Sequence, residues 1–371
     1  MVALVVVGII LLIVIVGVLF VKLSPEFGGK ATEQQQDRYA QSSNFSDGKF
    51  VNSKEVQLDM SFGTMMKTIG EYLKSHPNTV PKGSIPVDKI DSMGIVSYDS
   101  EKPRLIWFGH SAFLLQLNHK NILIDPMFGD VPAPHPLLGT SRFGKELPIA
   151  VEKLPFIDAV IFSHDHYDHL DYGSIVKLRG KVKAYYVPLG VGNHLKSWGI
   201  DSSQITELDW WQEATHDELT FRCTPAQHFS GRGLSDRAST LWSSWIIHSP
   251  KSNIYFSGDS GYGAHFKEIG EKYGPFDFAM MECGQYNENW KDIHMFPEET
   301  AQAAVDVKAK VMMPIHWGAF KLSLHSWTDP VVRLKEKAQE LGMPVSTPKI
   351  GEQIILGDSI IYPKHDWWLN Y

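Results

Sequence analysis

Cysteine is scarce in this sequence of 371 residues, and no part of it carries a run of lysine or arginine. The two cysteines, Cys223 and Cys283, exclude a disulfide framework and a cysteine-rich zinc site. A net charge of −7 excludes a basic surface for nucleic acid, so any attraction to an anionic substrate must come from a local centre such as a metal. Repeats of fixed period and low-complexity tracts are also absent. With 43% hydrophobic residues, the chain can bury one large core or two smaller ones.

The first residues, by contrast, form one uninterrupted apolar run. Residues 2–21 are all apolar, and as a helix they would span about 30 Å, the thickness of a bilayer core. A cleaved signal peptide is the alternative, but no basic residue precedes the run and no A-x-A-like site follows it. We therefore predict a single-pass anchor over residues 1–21. Lys22, Lys30 and Arg38 follow it, which by the positive-inside rule favours the cytoplasmic side for the remaining chain.

Downstream of this run, composition predicts a tether followed by one layered domain. Residues 22–50 are polar and rich in Gly, Ser and Gln, as expected of a flexible tether. Residues 51–371 are predicted to form the domain, with its core over about 104–356, where short apolar runs end in Gly-rich loops. Helical patterns between some of these runs, such as residues 297–308, indicate an α/β or α+β architecture.

One short string carries an unusual density of titratable residues. IFSHDHYDHLDY ends the apolar run 158–163 and continues with three histidines and three aspartates. Because alternate side chains of an extended segment share one face, His164 and His166 can bind one ion together. Asp168 and His169 follow after a turn and can reach a second point nearby. Packing does not explain these four groups, since burying them unpaired would cost several kcal/mol, and we predict a metal site.

Three further candidates occupy the same kind of position, at the exit of an apolar strand with Gly nearby. They are His228 in TPAQHFSG, Asp259 in YFSGDSGY and His316 in MPIHWGAF. Each alone has an ordinary interpretation as a turn or surface residue, but the first cluster needs partners, so we predict all three as ligands. Histidine and aspartate without cysteine suit Zn²⁺, and Fe or Mn would be tolerated.

The order of these candidate ligands resembles that of the metallo-β-lactamase superfamily. The order is H-x-H-x-D-H, then a distant His, then the Asp of SGDS and finally a late His. WFGHSAFLL and ILIDPMF resemble the superfamily too, so the resemblance covers about residues 104–356. FIDAVIFSHDHYDHLDYGS, CTPAQHFSGR and MPIHWGAF are more similar to N-acylphosphatidylethanolamine-hydrolysing phospholipase D than to the antibiotic-degrading members. The resemblance implies an α/β fold, a four-layer αββα sandwich with about five strands in each sheet, preceded here by the transmembrane helix.

The resemblance also implies a binuclear zinc site at one edge of the sandwich. One zinc would lie on His164, His166 and His228, the other on Asp168, His169 and His316, with Asp259 between them. Asp125 is expected to support the site and His110 to lie near it. The alternative for these two residues is an ordinary strand-end turn.

Several other residues are candidates for the pocket. His294 stands where the family has a pocket histidine and would orient the phosphate or protonate the leaving oxygen; the alternative is that it caps the helix beginning at Pro297. Ile293 stands where the family is expected to have a polar neighbour, so the head-group contacts differ. Tyr167 is predicted either to line the pocket or to pack on the sheet. Arg232, in the SGRG loop, is predicted to be solvated rather than phosphate-binding.

The predicted function is a membrane-anchored zinc phosphodiesterase of the phospholipase D type. A hydroxide bridging two ions would attack phosphorus, with Asp168 and His294 as catalytic residues. The substrate would be an N-acylphosphatidylethanolamine-like phospholipid in the membrane, and no nucleic acid is expected as a partner. Two alternatives stay open: a lactonase with the same metal site, and a non-catalytic membrane-tethered scaffold with a closed, structural zinc. The sequence leaves the oligomeric state and the acyl-chain preference open.

Overall fold

A computed structural model describes residues 2–56, 62–99, 101–357 and 361–371. Short strands, in part consecutive, are interspersed with helices along these residues, as the apolar runs and the helical patterns between some of them predict. The helices are α1 (Val2–Leu23), α2 (Glu33–Tyr39), α3 (Phe62–Tyr72), α4 (Ser92–Val96), α5 (Tyr172–Leu178), α6 (Gly192–Ser197), α7 (His265–Tyr273), α8 (Pro297–Asp306) and α9 (Asp329–Glu340). The strands are β1 (Phe45–Ser46), β2 (Lys49–Phe50), β3 (Arg104–Trp107), β4 (Phe113–Leu117), β5 (Lys120–Ile124), β6 (Ile157–Ile161), β7 (Val182–Pro188), β8 (Ile205–Leu208), β9 (Glu213–His216), β10 (Leu219–Thr224), β11 (Ser244–Ser249), β12 (Ser252–Phe256), β13 (Phe278–Glu282), β14 (Met312–Ile315) and β15 (Gln353–Ile355).

Apart from the β1–β2 hairpin, the described strands form two mixed sheets. One sheet has seven strands in the order β15-β3-β4-β5-β6-β7-β8, and the other has six in the order β14-β13-β12-β11-β10-β9. In the first sheet β5 to β8 run parallel, and in the second β12 to β14 do. Both sheets are larger than the five strands that the resemblance implies. The extra width includes short edge strands, such as β9 and β15, whose three or four residues leave little pattern in the sequence.

Side chains that alternate along each strand enter different cores. In β4, Phe113 and Leu115 enter the core between the two sheets, whereas Leu114 enters the core on the outer face of its sheet. In β11, Trp245 belongs to the inner core and Ile246 to the core under α7, α8 and α9. Sheets covered on both faces need strands that are largely apolar on both sides, which explains the short apolar runs of the sequence. The architecture is the predicted αββα sandwich.

Helix α1 precedes this sandwich and is almost entirely exposed. Its segment Leu4–Leu23 has a mean hydropathy of 3.6 and no buried residue in its most apolar window. It is the one helix in the described part of the chain that is long and apolar enough, by length and composition, to cross a membrane.

The segment that follows α1 lies against the domain, although its polar composition predicts a flexible tether over 22–50. Tyr39, in α2, and Phe50, in β2, are buried in the core between the sheets. The Arg38 guanidinium also pairs with Glu207 at 3.1 Å, and the Asn44 amide donates to Asp209 at 2.8 Å. Two aromatic anchors therefore dock a segment whose average composition is hydrophilic, because burial of a few large side chains outweighs that average.

Candidate metal centre

All seven predicted ligands meet at one edge of the sandwich, where strands end. The 164–169 loop follows β6, and the other three ligands follow β10, β12 and β14. The carboxyl ends of β5, β6 and β7 share one edge of their sheet because these strands run parallel, and the same holds for β12, β13 and β14. The residues brought together are His164, His166, Asp168, His169, His228, Asp259 and His316.

The first group consists of His164, His166 and His228. The Nδ1 atom of His166 lies 2.9 Å from Nε2 of His164 and 3.1 Å from Nε2 of His228. Three donor atoms at about 2.0–2.1 Å from one tetrahedral zinc would lie about 3.3 Å apart. The imidazoles therefore have the spacing of an ion-binding triad.

The second group consists of Asp168, His169 and His316. Oδ2 of Asp168 lies 3.0 Å from Nε2 of His316 and 3.5 Å from Nε2 of His169. Asp259 borders both groups: its Oδ2 lies 3.2 Å from Nε2 of His169 and 3.1 Å from Nε2 of His316. The same oxygen is 3.9 Å from Nε2 of His164. Asp259 thus lies between the two groups, where the resemblance implies it.

Burial and charge divide these imidazoles into two kinds. Burial lowers the pKa of His164 and His228, so both are neutral at pH 7 and present a lone pair. Burial also opposes protonation of His169 and His316, but the neighbouring carboxylates, Asp259 foremost, outweigh it and raise the pKa of both. The carboxylates therefore favour a positive charge beside His169 and His316. A divalent cation bound there would supply that charge.

Asp125 and His110 both contact the predicted ligands. The Asp125 carboxylate lies 2.6 Å from Nδ1 of His169 and accepts hydrogen bonds from the amide and hydroxyl of Ser163 at 2.7 and 2.5 Å. Nε2 of His110 lies 2.8 Å from Oδ2 of Asp168. Asp125, His110 and His316 have backbone φ angles of 38°, 55° and 65°, an unusual conformation that recurs at functional sites. The strand-end turns proposed as the alternative therefore exist, and they direct these side chains at the site.

Replacing Asp125 with alanine is expected to weaken metal binding by about 10- to 100-fold, because His169 loses the partner that orients its ring. Competition titration of zinc against a chelating dye measures the change. Asp130→Ala is the matched control, since Asp130 follows the same strand but is exposed. Equal zinc affinity of the two variants would contradict the role given to Asp125.

His294 lies beside the two groups and contacts a carboxylate that the sequence analysis missed. Its ring is stacked on that of His316, with centroids 5.2 Å apart, and its Nδ1 is 3.1 Å from Oε1 of Glu282. Glu282 is fully buried and also accepts from the Met295 amide at 3.1 Å. His294 therefore bonds to Glu282 rather than capping the helix at Pro297. The sequence does contain a sign that Glu282 belongs to the site, because it is the charged residue that ends the apolar run FDFAMME.

Asp165 is a second residue that sequence reasoning missed, although it lies inside the histidine string. It is fully buried, and its carboxylate accepts from the Gly231 amide at 2.8 Å and from the Thr240 hydroxyl at 2.9 Å. It also lies 3.2 Å from Nε2 of His194. Asp165 thus connects the 164–169 loop to the loop that carries His228. These hydrogen bonds fix the relative position of the two loops that contain the first group.

A cavity of about 340 Å³ opens above both groups. Its lining includes His166, Asp168, Phe229, Arg237, Asp259, Gln285, Trp290, Ile293, His294, His316 and Leu322. Tyr167 is not part of this lining, because it alternates with His166 and Asp168 and so faces the other way. Its hydroxyl donates to the carbonyl of Arg232 at 2.7 Å. The polar floor and the apolar walls suit an amphipathic substrate.

Arg232, predicted to be solvated, is buried with an exposed fraction of 3%. Its Nη1 donates to the carbonyl oxygens of Asp165 and Leu170 at 2.5 and 2.7 Å, and its Nε donates to the Glu26 carbonyl at 2.8 Å. The prediction was wrong because the segment after α1 and the metal loop close over this side chain. Arg232 is a structural support of the 164–169 loop.

A four-layer αββα sandwich whose strand ends gather five histidines and two aspartates defines the metallo-β-lactamase fold. The family described as the beta-lactamase superfamily domain matches residues 120–317, which is more than half of the chain. The chain belongs to this superfamily, and the predicted fold class and family are confirmed.

Individual proteins refine this placement. An uncharacterised protein of Mycobacterium tuberculosis (strain ATCC 25618 / H37Rv) is 40% identical over 334 residues, which cover 88% of each chain. N-acyl-phosphatidylethanolamine-hydrolyzing phospholipase D 1 of Caenorhabditis elegans is 36% identical over 244 residues, 62% of this chain and 68% of that protein. A possible metal-dependent hydrolase from Veillonella parvula has the same fold, with a TM-score of 0.56 at 18% identity, over 69% of this chain and all of that one.

Proposed function

We propose that the protein is a membrane-anchored binuclear zinc hydrolase that cleaves a phosphodiester of N-acylphosphatidylethanolamine-like phospholipids. The observation that carries the proposal is the pair of adjoining donor groups that share Asp259 at the floor of the cavity. Kinship with the nematode phospholipase D supports the substrate class. The apolar residues Trp290, Ile293 and Leu322 in the cavity lining would accommodate the start of an acyl chain.

The donor set fits two zinc ions. One would be held by His164, His166 and His228, the other by Asp168, His169 and His316, with Asp259 in contact with both. Fe or Mn would be tolerated by the same nitrogen and oxygen donors. When bound, two such ions lower the pKa of a shared water toward about 7 and neutralise charge on a phosphate.

The chain's own residues supply orientation and proton transfer. The Glu282 carboxylate binds Nδ1 of His294, which fixes the ring and leaves Nε2 for the substrate. His294 would then donate a proton to the oxygen that leaves phosphorus. Asp168 contributes twice in this scheme, as a ligand and as the acceptor for Nε2 of His110, so its carboxylate is held in one orientation.

Arg237 gives the cavity a fixed positive charge. Its guanidinium lies over the Phe229 ring, 4.1 Å from the ring centroid, and both residues line the cavity. Within the described part of the chain, no carboxylate forms an ion pair with this side chain, so it is free to bind an anionic substrate group. A phosphodiester provides that group and a neutral lactone does not, which favours the phospholipid over the lactone.

Replacing Arg237 with glutamine is expected to lower kcat/KM for a phosphodiester substrate by about 10- to 100-fold, the loss of one charge-assisted hydrogen bond. Cleavage of a neutral lactone, if any is measurable, should be unchanged. Steady-state kinetics on both substrates measures the effect, and Arg179→Gln, at an exposed arginine of the same charge, is the control. A fall of equal size with both substrates would show that Arg237 acts on the fold and not on the substrate.

A direct screen tests the proposed function itself. Purified full-length protein, with its metal content measured, is assayed with N-acylphosphatidylethanolamine in mixed micelles and with a panel of acyl lactones. Release of phosphatidic acid at about two zinc ions per chain supports the proposal. Rapid lactone opening with inert phospholipid would replace it with the lactonase alternative, and inactivity of the zinc-loaded protein on both would favour the scaffold.

We also propose the division into an anchor over residues 1–21 and a catalytic domain that follows. The exposed apolar surface of α1 supports the anchor, because such a surface is stable in lipid and not in water. A lipid substrate lies in the bilayer, so a tethered enzyme meets it at high local concentration. The basic residues after α1 favour the cytoplasmic side for the domain.

A further inference from the structure

The exit of α1 is fixed against the domain beside the metal loop. The indole of Trp198 donates to the Pro25 carbonyl at 2.7 Å, and Arg232 donates to the Glu26 carbonyl at 2.8 Å. Gly28, at φ 72°, lies so close to the His194 ring that a Cβ there would clash with it. A membrane helix that leaves the domain through such contacts cannot turn freely, so the domain has a defined face toward the bilayer.

Three exposed leucines lie on two turns next to this exit. Leu137 and Leu138, with exposed fractions of 87% and 64%, occupy a short 3-10 turn whose His135 ring contacts that of Phe20, at the end of α1, with centroids 6.1 Å apart. Leu234 is 94% exposed and lies two residues after Arg232, in the turn held against Glu26. These three leucines are called the leucine rim below.

Both turns also border the cavity over the metal centre. The Thr140 hydroxyl, just after the first turn, donates to the carbonyl of Lys321 at 2.9 Å, next to the cavity residue Leu322. The second turn leads directly into Arg237, which lines the cavity. The leucine rim therefore lies between the membrane helix and the opening through which a substrate must pass.

We propose that the leucine rim inserts into the bilayer beside α1, so that the cavity opens at the lipid surface. This inference rests on the membrane anchor of the proposed function. Residues that contact the end of a transmembrane helix lie at the headgroup level, where exposed leucines gain free energy by entering the acyl region. The partner is a lipid surface, because the helix that adjoins the rim is itself apolar and is exposed except at its last turn, where Phe20 contacts the domain. The rim fixes the tilt of the domain, which one helix alone would not.

Fluorescence quenching tests the insertion without any need for enzymatic activity. Leu137→Cys, Leu138→Cys and Leu234→Cys are made in the full-length protein and labelled with a small environment-sensitive fluorophore; Cys223 and Cys283 are buried and do not compete. The proteins are placed in phosphatidylethanolamine and phosphatidylglycerol vesicles with a nitroxide near the top of the acyl chain. Phe156→Cys is the matched control, at an exposed position before β6, at the opposite end of that strand from the metal loop.

We expect the three rim labels to be quenched at least about threefold more strongly than the control label. Equal quenching of rim and control, in protein that floats with the vesicles, overturns the rim and leaves the anchor intact. Protein that does not float overturns the anchor and the rim together. Absence of phospholipid cleavage would end the proposed function without affecting the quenching result.

A second measurement asks whether the rim serves catalysis. The triple variant Leu137→Asp, Leu138→Asp, Leu234→Asp is expected to lose about tenfold or more in hydrolysis of vesicle-embedded phospholipid, since each leucine is worth about tenfold in transfer to lipid. Hydrolysis of a short-chain, water-soluble phosphodiester should be unchanged, as should both activities of Phe156→Asp. An equal loss on the soluble substrate would assign the rim a structural role and overturn its membrane contact.

Discussion

Asp259→Ala is expected to lower hydrolysis by about a thousandfold or more and to reduce bound zinc to one ion per chain or less. The reason is geometric: one oxygen of Asp259 lies 3.2 Å from Nε2 of His169 and 3.9 Å from Nε2 of His164, so it contributes to both groups. Loss of one ion removes several kcal/mol of charge stabilisation, and each 1.36 kcal/mol is tenfold in rate. Metal analysis by mass spectrometry, combined with initial rates on the phospholipid, measures both effects.

The control for this variant is Asp99→Ala, at a carboxylate whose side chain is 87% exposed. It should keep both ions and the full rate. Circular dichroism of the two variants separates a loss of metal from a loss of fold. Two zinc ions and a normal rate in Asp259→Ala would mean that the two groups do not share this carboxylate, and the binuclear centre would have to be abandoned.

The sequence predicts the sandwich because its strands are buried on both faces. β4, β5, β6 and β13 appear as short, largely apolar runs, and residues of the site lie at or just after the ends of β5, β6 and β13. Pro297 and the two glutamates that follow favour a helix start and predict a helix over residues 297–308, of which α8 covers Pro297–Asp306. The edge strands escape prediction, because a strand such as β15 has only three residues.

A site residue can be predicted from the sequence when a metal-binding side chain ends an apolar run. It cannot be predicted when its role depends on a partner far away in the sequence. His228 and His316 end apolar runs and have side chains that bind metals, so their position along the chain suffices. Glu282 also ends such a run, but its role arises from His294, which arrives from a separate loop. Asp165 could not be assigned for the same reason, since its partners Gly231 and Thr240 are more than sixty residues away.

Arg232 shows why local composition misleads in the loops. The SGRG segment is short, polar and Gly-rich, which ordinarily indicates a solvated turn. In the structure the guanidinium lies over the rings of Tyr167 and Trp198, at 4.1 and 5.2 Å from their centroids. Three backbone carbonyls from two separate segments complete its surroundings. No pattern within the loop indicates these neighbours, because they come from the metal loop, from the residue that follows α6 and from the segment after α1.

Arg232→Met is therefore expected to destabilise the protein by about 3 kcal/mol or more, because the carbonyls of Glu26, Asp165 and Leu170 lose buried hydrogen bonds that methionine cannot replace. Urea unfolding in mild detergent, followed by circular dichroism at constant zinc concentration, measures the change. Arg237→Met is the matched control: Arg237 lies five residues further on and is exposed, so its loss should reduce phosphodiester cleavage and leave the unfolding midpoint unchanged. If Arg232→Met unfolds at the same urea concentration as the unmodified protein, Arg232 does not support the fold. It would then be a solvated loop residue, as its sequence context indicates.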